Sequence, residues 1–275
     1  MSMLKLPTLG IISGASRGIG RAIAIELAKK VDPASTFYLT ARSMESLEET
    51  AHVIKRDVDK KLDVRCVSID MSDERSVSGF NKSMFSNAGD ISRFSHAVLV
   101  HNAGSVGIID KKARELHDIS AIQNYFFFNM TAPITLTSAF LQHLANNHSK
   151  LRKTVVQITS LSVTAPQKSM HLYCTGKAGR EIFFRVMALE EPDVKILSYD
   201  PGLVNTDLYT GLQSSTDTEM RMLAKNLSGQ PFFLSPQQSA ETLCNVLEEE
   251  KYESGSIVRA YEVMNIDVGA FLNQG

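Results

Sequence analysis

The stretch Leu9 to Arg21, LGIISGASRGIGR, limits the folds open to this chain more than any other. An apolar run, Leu9 to Ile12, meets glycines at Gly14, Gly18 and Gly20. Immediately beyond them, Ala22, Ile23, Ile25, Leu27 and Ala28 carry apolar side chains at helical spacing. That succession reads as a strand, a tight turn and a helix N-terminus. Glycine lets the main chain approach a ligand closely, and the free N–H groups and dipole of a helix start stabilise an anion, so such a turn suits phosphate. The spacing is Gly-x-x-x-Gly-x-Gly rather than the common Gly-x-Gly-x-x-Gly fingerprint, and alone it is equally compatible with a structural turn.

Along the rest of the chain, short β-rich runs alternate with longer helical patterns. Strands are predicted at Thr8–Ile12, Thr36–Thr40, Asp63–Ser68, His96–His101, Thr154–Ile158, Lys195–Tyr199 and Ser256–Val258. Helices are predicted at Ile19–Lys30, Met44–Lys61, Asp73–Met84, Ile122–Asn146, Tyr173–Leu189, Thr216–Leu227 and Pro236–Glu249. Alternation of this kind implies βαβ units in a single α/β domain, a parallel sheet doubly wound by helices. Runs such as Val98-Leu99-Val100 are apolar throughout, as strands covered on both faces must be.

Composition sets the outer bounds. The 275 residues are 43% hydrophobic and 21% charged with a net charge of -1, so the chain can bury a large core and has no basic excess for nucleic acid or an anionic membrane. The N-terminus lacks a signal-peptide apolar core, and no apolar stretch reaches a membrane span. Cys66, Cys174 and Cys244 show no paired spacing and the histidines no His-x-x-x-His, so we expect a reducing, cytoplasmic setting and no metal.

In doubly wound sheets ligands bind at the carboxyl ends of the strands. Arg42 follows the second strand, where an arginine matches the 2′-phosphate of NADP and an acid would instead accept from the ribose hydroxyl of NAD. Arg17 adds a second cation. Asp70, after the third strand, is either an acceptor for adenine or an acid of the next helix start. Tyr173 and Lys177 stand four apart on a helical pattern and share a face. An ammonium there is expected to lower the phenol pKa, so that tyrosine can give a proton to a carbonyl oxygen as hydride reaches the carbon. Ser160, at a strand end, could hydrogen-bond the same oxygen.

Gly14-Ala-Ser-Arg-Gly-Ile-Gly20, Asn102-Ala-Gly104, Ser160, Tyr173-Cys-Thr-Gly-Lys177 and Pro201-Gly202 together resemble the short-chain dehydrogenase/reductases, in the right order over almost the whole chain. The resemblance implies a Rossmann fold, hydride transfer from a nicotinamide and a catalytic tetrad of Asn129, Ser160, Tyr173 and Lys177. It places the cofactor on Gly14, Ser16, Arg17, Gly18, Ile19 and Gly20 of the turn. Arg42, Asp70, Met71, Asn102, Ala103, Gly104, Tyr173 and Lys177 continue that surface, and Gly202, Val204, Thr206 and Asp207 close it. Substrate contacts are implied at Ser160, Leu161, Tyr173, Gly202 and Glu262, beneath a lid spanning residues 209–234.

Asn102-Ala-Gly-Ser-Val-Gly107, Ala188-Leu-Glu-Glu-Pro192 and Lys251-Tyr-Glu-Ser-Gly255 look like the branch of that family that reduces pterin side-chain ketones, which implies NADPH and a homodimer. One position departs. Counted from Ser254-Gly255, the place of that branch's pterin-gripping aspartate holds Arg259, with Glu253, Glu262 and Asp267 nearby. The readings that remain open are a pterin reductase, a reductase of small vicinal dicarbonyls or aldehydes, and a non-catalytic NADP-binding sensor.

Overall fold

The computed structural model describes residues 3–58, 61–84, 90–147 and 151–268. Seven strands form one sheet: β1 (Thr8–Ser13), β2 (Thr36–Ala41), β3 (Asp63–Ser68), β4 (His96–His101), β5 (Arg152–Ile158), β6 (Val194–Asp200) and β7 (Ser256–Arg259). They are all parallel, in the order β3-β2-β1-β4-β5-β6-β7. The winding reverses between β1 and β4, where Ile12 pairs with Val100, and a doubly wound sheet opens a crevice above such a point.

Successive side chains of each strand go to opposite faces. Ile12, Leu39, Val98 and Val100 enter a core with α1 (Gly18–Lys30), α2 (Met44–Asp57) and α9 (Pro236–Glu249). Leu9, Ile11, Leu99 and Val155 enter the other core, with α3 (Glu74–Ser83), α5 (Ala132–Asn147) and α6 (His171–Glu190). Each such aliphatic side chain contributes about 1.5–3 kcal/mol when fully buried, which fixes which face each helix covers.

The helix starts follow local chemistry. Ser43, Asp73 and Ser235 accept from backbone N–H groups at the starts of α2, α3 and α9, each cap contributing about 1 kcal/mol. The second predicted helix stops at Asp57 rather than Lys61; residues 59–60 lie outside the described set. The helix predicted at Ile122–Asn146 is three pieces: α4 (Ile119–Phe126), a π turn (Phe127–Thr131) and α5. Proline has no N–H and its ring crowds the carbonyl four residues back, so Pro133 cannot continue an α ladder onto Asn129. The widened turn accommodates it, with Ala132 N–H donating to the Phe127 carbonyl five residues earlier. Helix α8 (Thr218–Leu227) lies inside the predicted Thr216–Leu227. Two short helices, α7 (Asp207–Gln213) and α10 (Ala260–Val263), add to those predicted, having too few turns to show a periodic pattern. Among the described residues no helix is long and apolar enough to cross a membrane.

Candidate active site

A cleft of about 1180 Å³ runs along the carboxyl ends of the strands, from Arg42 past the glycine turn to Glu262. Gly14 (φ +67°) and Gly18 (φ +55°) are left-handed, which the L-residues disfavour. A Cβ on Gly20 would strike the Gly14 carbonyl oxygen, so this glycine packs helix against turn and does not itself line the cleft. The Asn102 amide donates to the carbonyls of Ser13 and Gly14, both at 3.1 Å, and pins the turn to the end of β4. The Ser13 hydroxyl accepts from the N–H groups of Asn102 and Ala103 at 3.0 and 3.1 Å.

Unlike α2, α3 and α9, helix α1 receives no side-chain cap: Arg17 stands at its N-cap without such a bond. Its first N–H groups face the cleft, so the turn fits a dinucleotide pyrophosphate. Ser16, Arg17, Ile19, Arg42, Asp70, Met71, Ala103 and Gly104 line the same end. Arg17 pairs with Asp207 at 2.5 Å across the cleft mouth, both exposed. Asp70 does not cap α3; Asp73 does. Asp70 accepts from the N–H and hydroxyl of Ser72 at 2.9 and 2.6 Å, and these bonds hold its carboxyl below the usual range.

At the other end, Ser160 starts a short turn after β5, and its hydroxyl accepts from Ser162 N–H at 3.2 Å. Tyr173 and Lys177 rise from α6 onto the same floor, with Leu161 and Gly202 beside them. The Lys177 ammonium donates to the Ile158 carbonyl at 2.6 Å and lies 5.6 Å from the centre of the Tyr173 ring. The expectation that Lys177 lowers the Tyr173 phenol is not met. Burial pushes Tyr173 up to about 12 against a lowering hydrogen bond from Ser160. Burial likewise pulls Lys177 down to about 7, helped by Arg180 and opposed by Asp200. Removing solvent from both groups outweighs their attraction, because the ammonium sits over the ring and bonds a carbonyl.

Asn129 does not reach the cleft either. It is buried in the π turn, where its amide donates to the Tyr125 carbonyl at 3.0 Å and its oxygen accepts from Ser105 N–H at 2.9 Å. It thus ties the main chain beyond Gly104 to the helix that faces Lys177's side of the sheet.

The substrate end has partners the sequence did not mark. Gly202 (φ +75°) follows Asp200, whose carboxyl accepts its N–H at 3.1 Å. Burial raises Asp200. The Tyr261 hydroxyl accepts from Leu203 N–H at 2.7 Å and donates to the Phe232 carbonyl at 2.9 Å. Val204, which is buried, bridges to Leu234, and Thr206 caps α7. Above the cleft, Met170, Tyr209, Leu212, Met220 and Ala224 form a small buried cluster that joins α7 and α8 to the start of α6. Glu262 and Arg259 both line the cleft and pair with each other at 2.9 Å. Among the described residues no cluster of three His, Cys, Asp or Glu could hold a metal.

The family model for short chain dehydrogenase matches residues 9–217. The chain belongs to the short-chain dehydrogenases. This short-chain dehydrogenase is 32% identical to sepiapterin reductase of Rattus norvegicus, over 92% of its own length and 96% of the relative's. It is also 31% identical to a benzil reductase, (S)-benzoin forming, of Bacillus subtilis, over 88% and 93% of the two chains. The crystal structure of an alcohol dehydrogenase from the archaeon Thermococcus sibiricus, complexed with 5-hydroxy-NADP, matches with TM-score 0.70 and 25% identity over 92% of this chain and 95% of that one. The family and the cleft together make the protein an oxidoreductase of CH–OH and C=O groups that uses a nicotinamide cofactor.

Proposed function

We propose that the protein is an NADPH-dependent carbonyl reductase whose substrate is a pterin with a side-chain ketone. The observation that carries the reductase reading is the meeting of Ser160, Tyr173 and Lys177 on one floor of the cleft, at the end opposite Arg42. The cofactor, when bound, supplies the hydride. Tyr173 then gives the proton to the carbonyl oxygen, Ser160 hydrogen-bonds that oxygen, and Lys177 stands ready to return a proton to Tyr173. Asn129 positions the turn that carries this wall. Arg17 and Arg42 at the phosphate end support NADP, as does the 5-hydroxy-NADP of the Thermococcus enzyme. Helices α7 and α8 over the cleft support a lid at residues 209–234.

Likeness to sepiapterin reductase supports the pterin, and with it a place in tetrahydrobiopterin biosynthesis. Glu262 is the acid in the cleft that could accept from an aminopyrimidine edge. Arg259, which only donates, and the Bacillus relative favour a second reading, reduction of vicinal dicarbonyls. Exposed Ile182, Val186 and Leu189 on α6 support a homodimer, and three free cysteines support a cytoplasmic setting.

The test is NADPH oxidation with sepiapterin, benzil and small aliphatic diketones. Tyr173→Phe should lose turnover by about 10²–10⁴-fold with NADPH affinity unchanged, and full activity in that variant would sink the mechanism, whereas NADPH binding by the wild type with no turnover of any of these carbonyls would revive the sensor. Glu262→Ala should raise KM for sepiapterin and hardly move it for a diketone. Brisk reduction of diketones with no turnover of sepiapterin would leave the dicarbonyl reading alone.

A further inference from the structure

Directly behind the reactive pair lies a charge that the proposed chemistry has not used. Arg180 is the largest fully buried side chain, 1% exposed, and it does not line the cleft. It stands seven residues after Tyr173 and three after Lys177, on the same stripe of α6. A guanidinium cannot shed its charge, so burying one costs several kcal/mol unless the surroundings compensate. Here compensation is incomplete, because neither Nε nor Nη2 has a hydrogen-bond partner. Chains do not keep such a group for packing alone, since a methionine or leucine of similar volume would cost less.

The groups around it are specific. On α6 they are Tyr173, Lys177 and Glu181. Tyr125 comes from α4 and His101 from β4, while Cys174 acts on Tyr173 and Asp200, at the end of β6, acts on both Tyr173 and Lys177. The Tyr125 hydroxyl lies against α6 at Gly176, where an added Cβ would be only 2.8 Å away. Glu181 is buried with one oxygen accepting from the Gln157 amide at 3.0 Å and the other without a partner. The Thr137 hydroxyl donates to the Pro133 carbonyl at 2.8 Å, so at 2.7 Å it must accept from His101 Nε2–H. That assigns a neutral imidazole whose Nδ1 lone pair has no partner. Two unpartnered acceptors and two phenols therefore surround one permanent cation.

We propose that Arg180 is a positioning residue for the proton step, its fixed buried charge readying Tyr173 to release a proton while holding Lys177 readily deprotonated. The inference rests on Tyr173 as the proton donor proposed above. In that step the O–H bond of Tyr173 breaks, the proton joins the carbonyl oxygen, and the electron pair stays on the phenolate. A cation behind the ring stabilises that phenolate before any solvent can. The same charge repels a proton on Lys177 and so adds to the lowering that burial imposes there, whereas on Tyr173 it works against burial, which holds the phenol up. Its sign is the same for each, so the coupled pair shifts together whichever member titrates.

The experiment is the pH dependence of benzoin oxidation with NADP, in which Tyr173 must be deprotonated and the rate rises with pH. Two helical turns separate Arg180 from Tyr173, about 10 Å, and a unit charge at that distance in an effective dielectric of about 20 moves a titration by about one pH unit. Arg180→Met should shift the midpoint up by about one unit, lowering the rate near neutrality about tenfold and leaving the alkaline plateau within about twofold. Arg180→Lys should restore most of the shift. Arg180→Gln, which keeps donors and loses the charge, carries the same expectation as Met should that variant not fold. Without cofactor, the tyrosinate absorbance that disappears with Tyr173→Phe should move upward in pH in the Met or Gln background. An unmoved midpoint in a folded, NADPH-binding Met or Gln variant overturns the inference, as does a shift that Lys reproduces in full. If Tyr173→Phe is itself fully active, the reading beneath the inference fails and takes it along; an inactive Tyr173→Phe with an unmoved Arg180→Met midpoint refutes Arg180 alone.

Discussion

Cofactor choice should be decided by Arg42. It is exposed at the open end of the cleft, and among the described residues no carboxylate pairs with it. Arg17, the other cation at that end, is already engaged by Asp207 at 2.5 Å. A charge-assisted bond to phosphate contributes about 1.5–3 kcal/mol, and exposure puts Arg42 at the low end of that range. Arg42→Ala should therefore weaken NADPH about tenfold and leave NADH within about twofold, because only NADPH presents a phosphate there. Arg17→Ala removes a cation but also frees a carboxylate to repel phosphates, so it should weaken both cofactors, while Asp207→Asn should tighten both by a few-fold. Both arginines are exposed, and their contributions should shrink as salt rises past about 0.1 M, where the screening length is about 10 Å. Fluorescence titration of each variant with NADPH and NADH at two salt concentrations measures all of this. Equal weakening of both cofactors in Arg42→Ala would refute the assignment.

Other consequences arise from buried partners. Tyr261→Phe removes the bonds to the Leu203 N–H and the Phe232 carbonyl, a loss of about 1–3 kcal/mol, and should lower Tm and raise KM because Leu203 packs against the cluster that carries α7 and α8. His96 is buried between Thr8 and Thr154 with its pKa held down at about 3 by desolvation, with the Arg152 charge adding to the effect. The unfolded chain takes a proton there near pH 6.5 that the folded chain refuses, so stability is full above that pH and falls as pH drops. By pH 5 that loss is about 2 kcal/mol, and His96→Gln should flatten the dependence of the urea midpoint on pH between 7 and 5.

The sheet was legible because its strands are long apolar runs, and the errors sit where a ladder decides. Strands β5 and β6 begin earlier than predicted, at Arg152 and Val194, because Arg152 pairs with His96 and Val194 with Lys153 in neighbours already fixed. The single long helix from Ile122 failed at Pro133, a signal that was present in the sequence and outweighed by apolar spacing. The glycine turn, Ser160, Tyr173 and Lys177 were legible because each stands at a strand end or on a helix face that points there. What could not be read is what burial does to them. Spacing alone suggests that an ammonium lowers a phenol; only packing shows the ammonium over the ring and a guanidinium fully buried three residues beyond it on the same helix. Arg180 left one trace, a charged residue on the stripe of α6 that otherwise faces the sheet.

The substrate end resists reading for a different reason: its chemistry is set by register. Asp200 and Arg259 are direct partners across β6 and β7, so their charges meet at the strand ends although 59 residues separate them. Asp200 is buried with its pKa raised, and Arg259 opposes that rise. Arg259 is at the same time paired with Glu262, which is mostly exposed. One guanidinium thus serves two carboxylates, and a ligand that donates hydrogen bonds must compete with it for Glu262, whereas a ligand that accepts can take donors of Arg259 without breaking either pair, since a guanidinium has five N–H groups. The local arrangement therefore favours acceptor-rich dicarbonyls at Arg259 and admits a donor-rich pterin only if Glu262 turns from Arg259 toward the cleft. The kinetics of Glu262→Ala on the two substrate classes read out that turn.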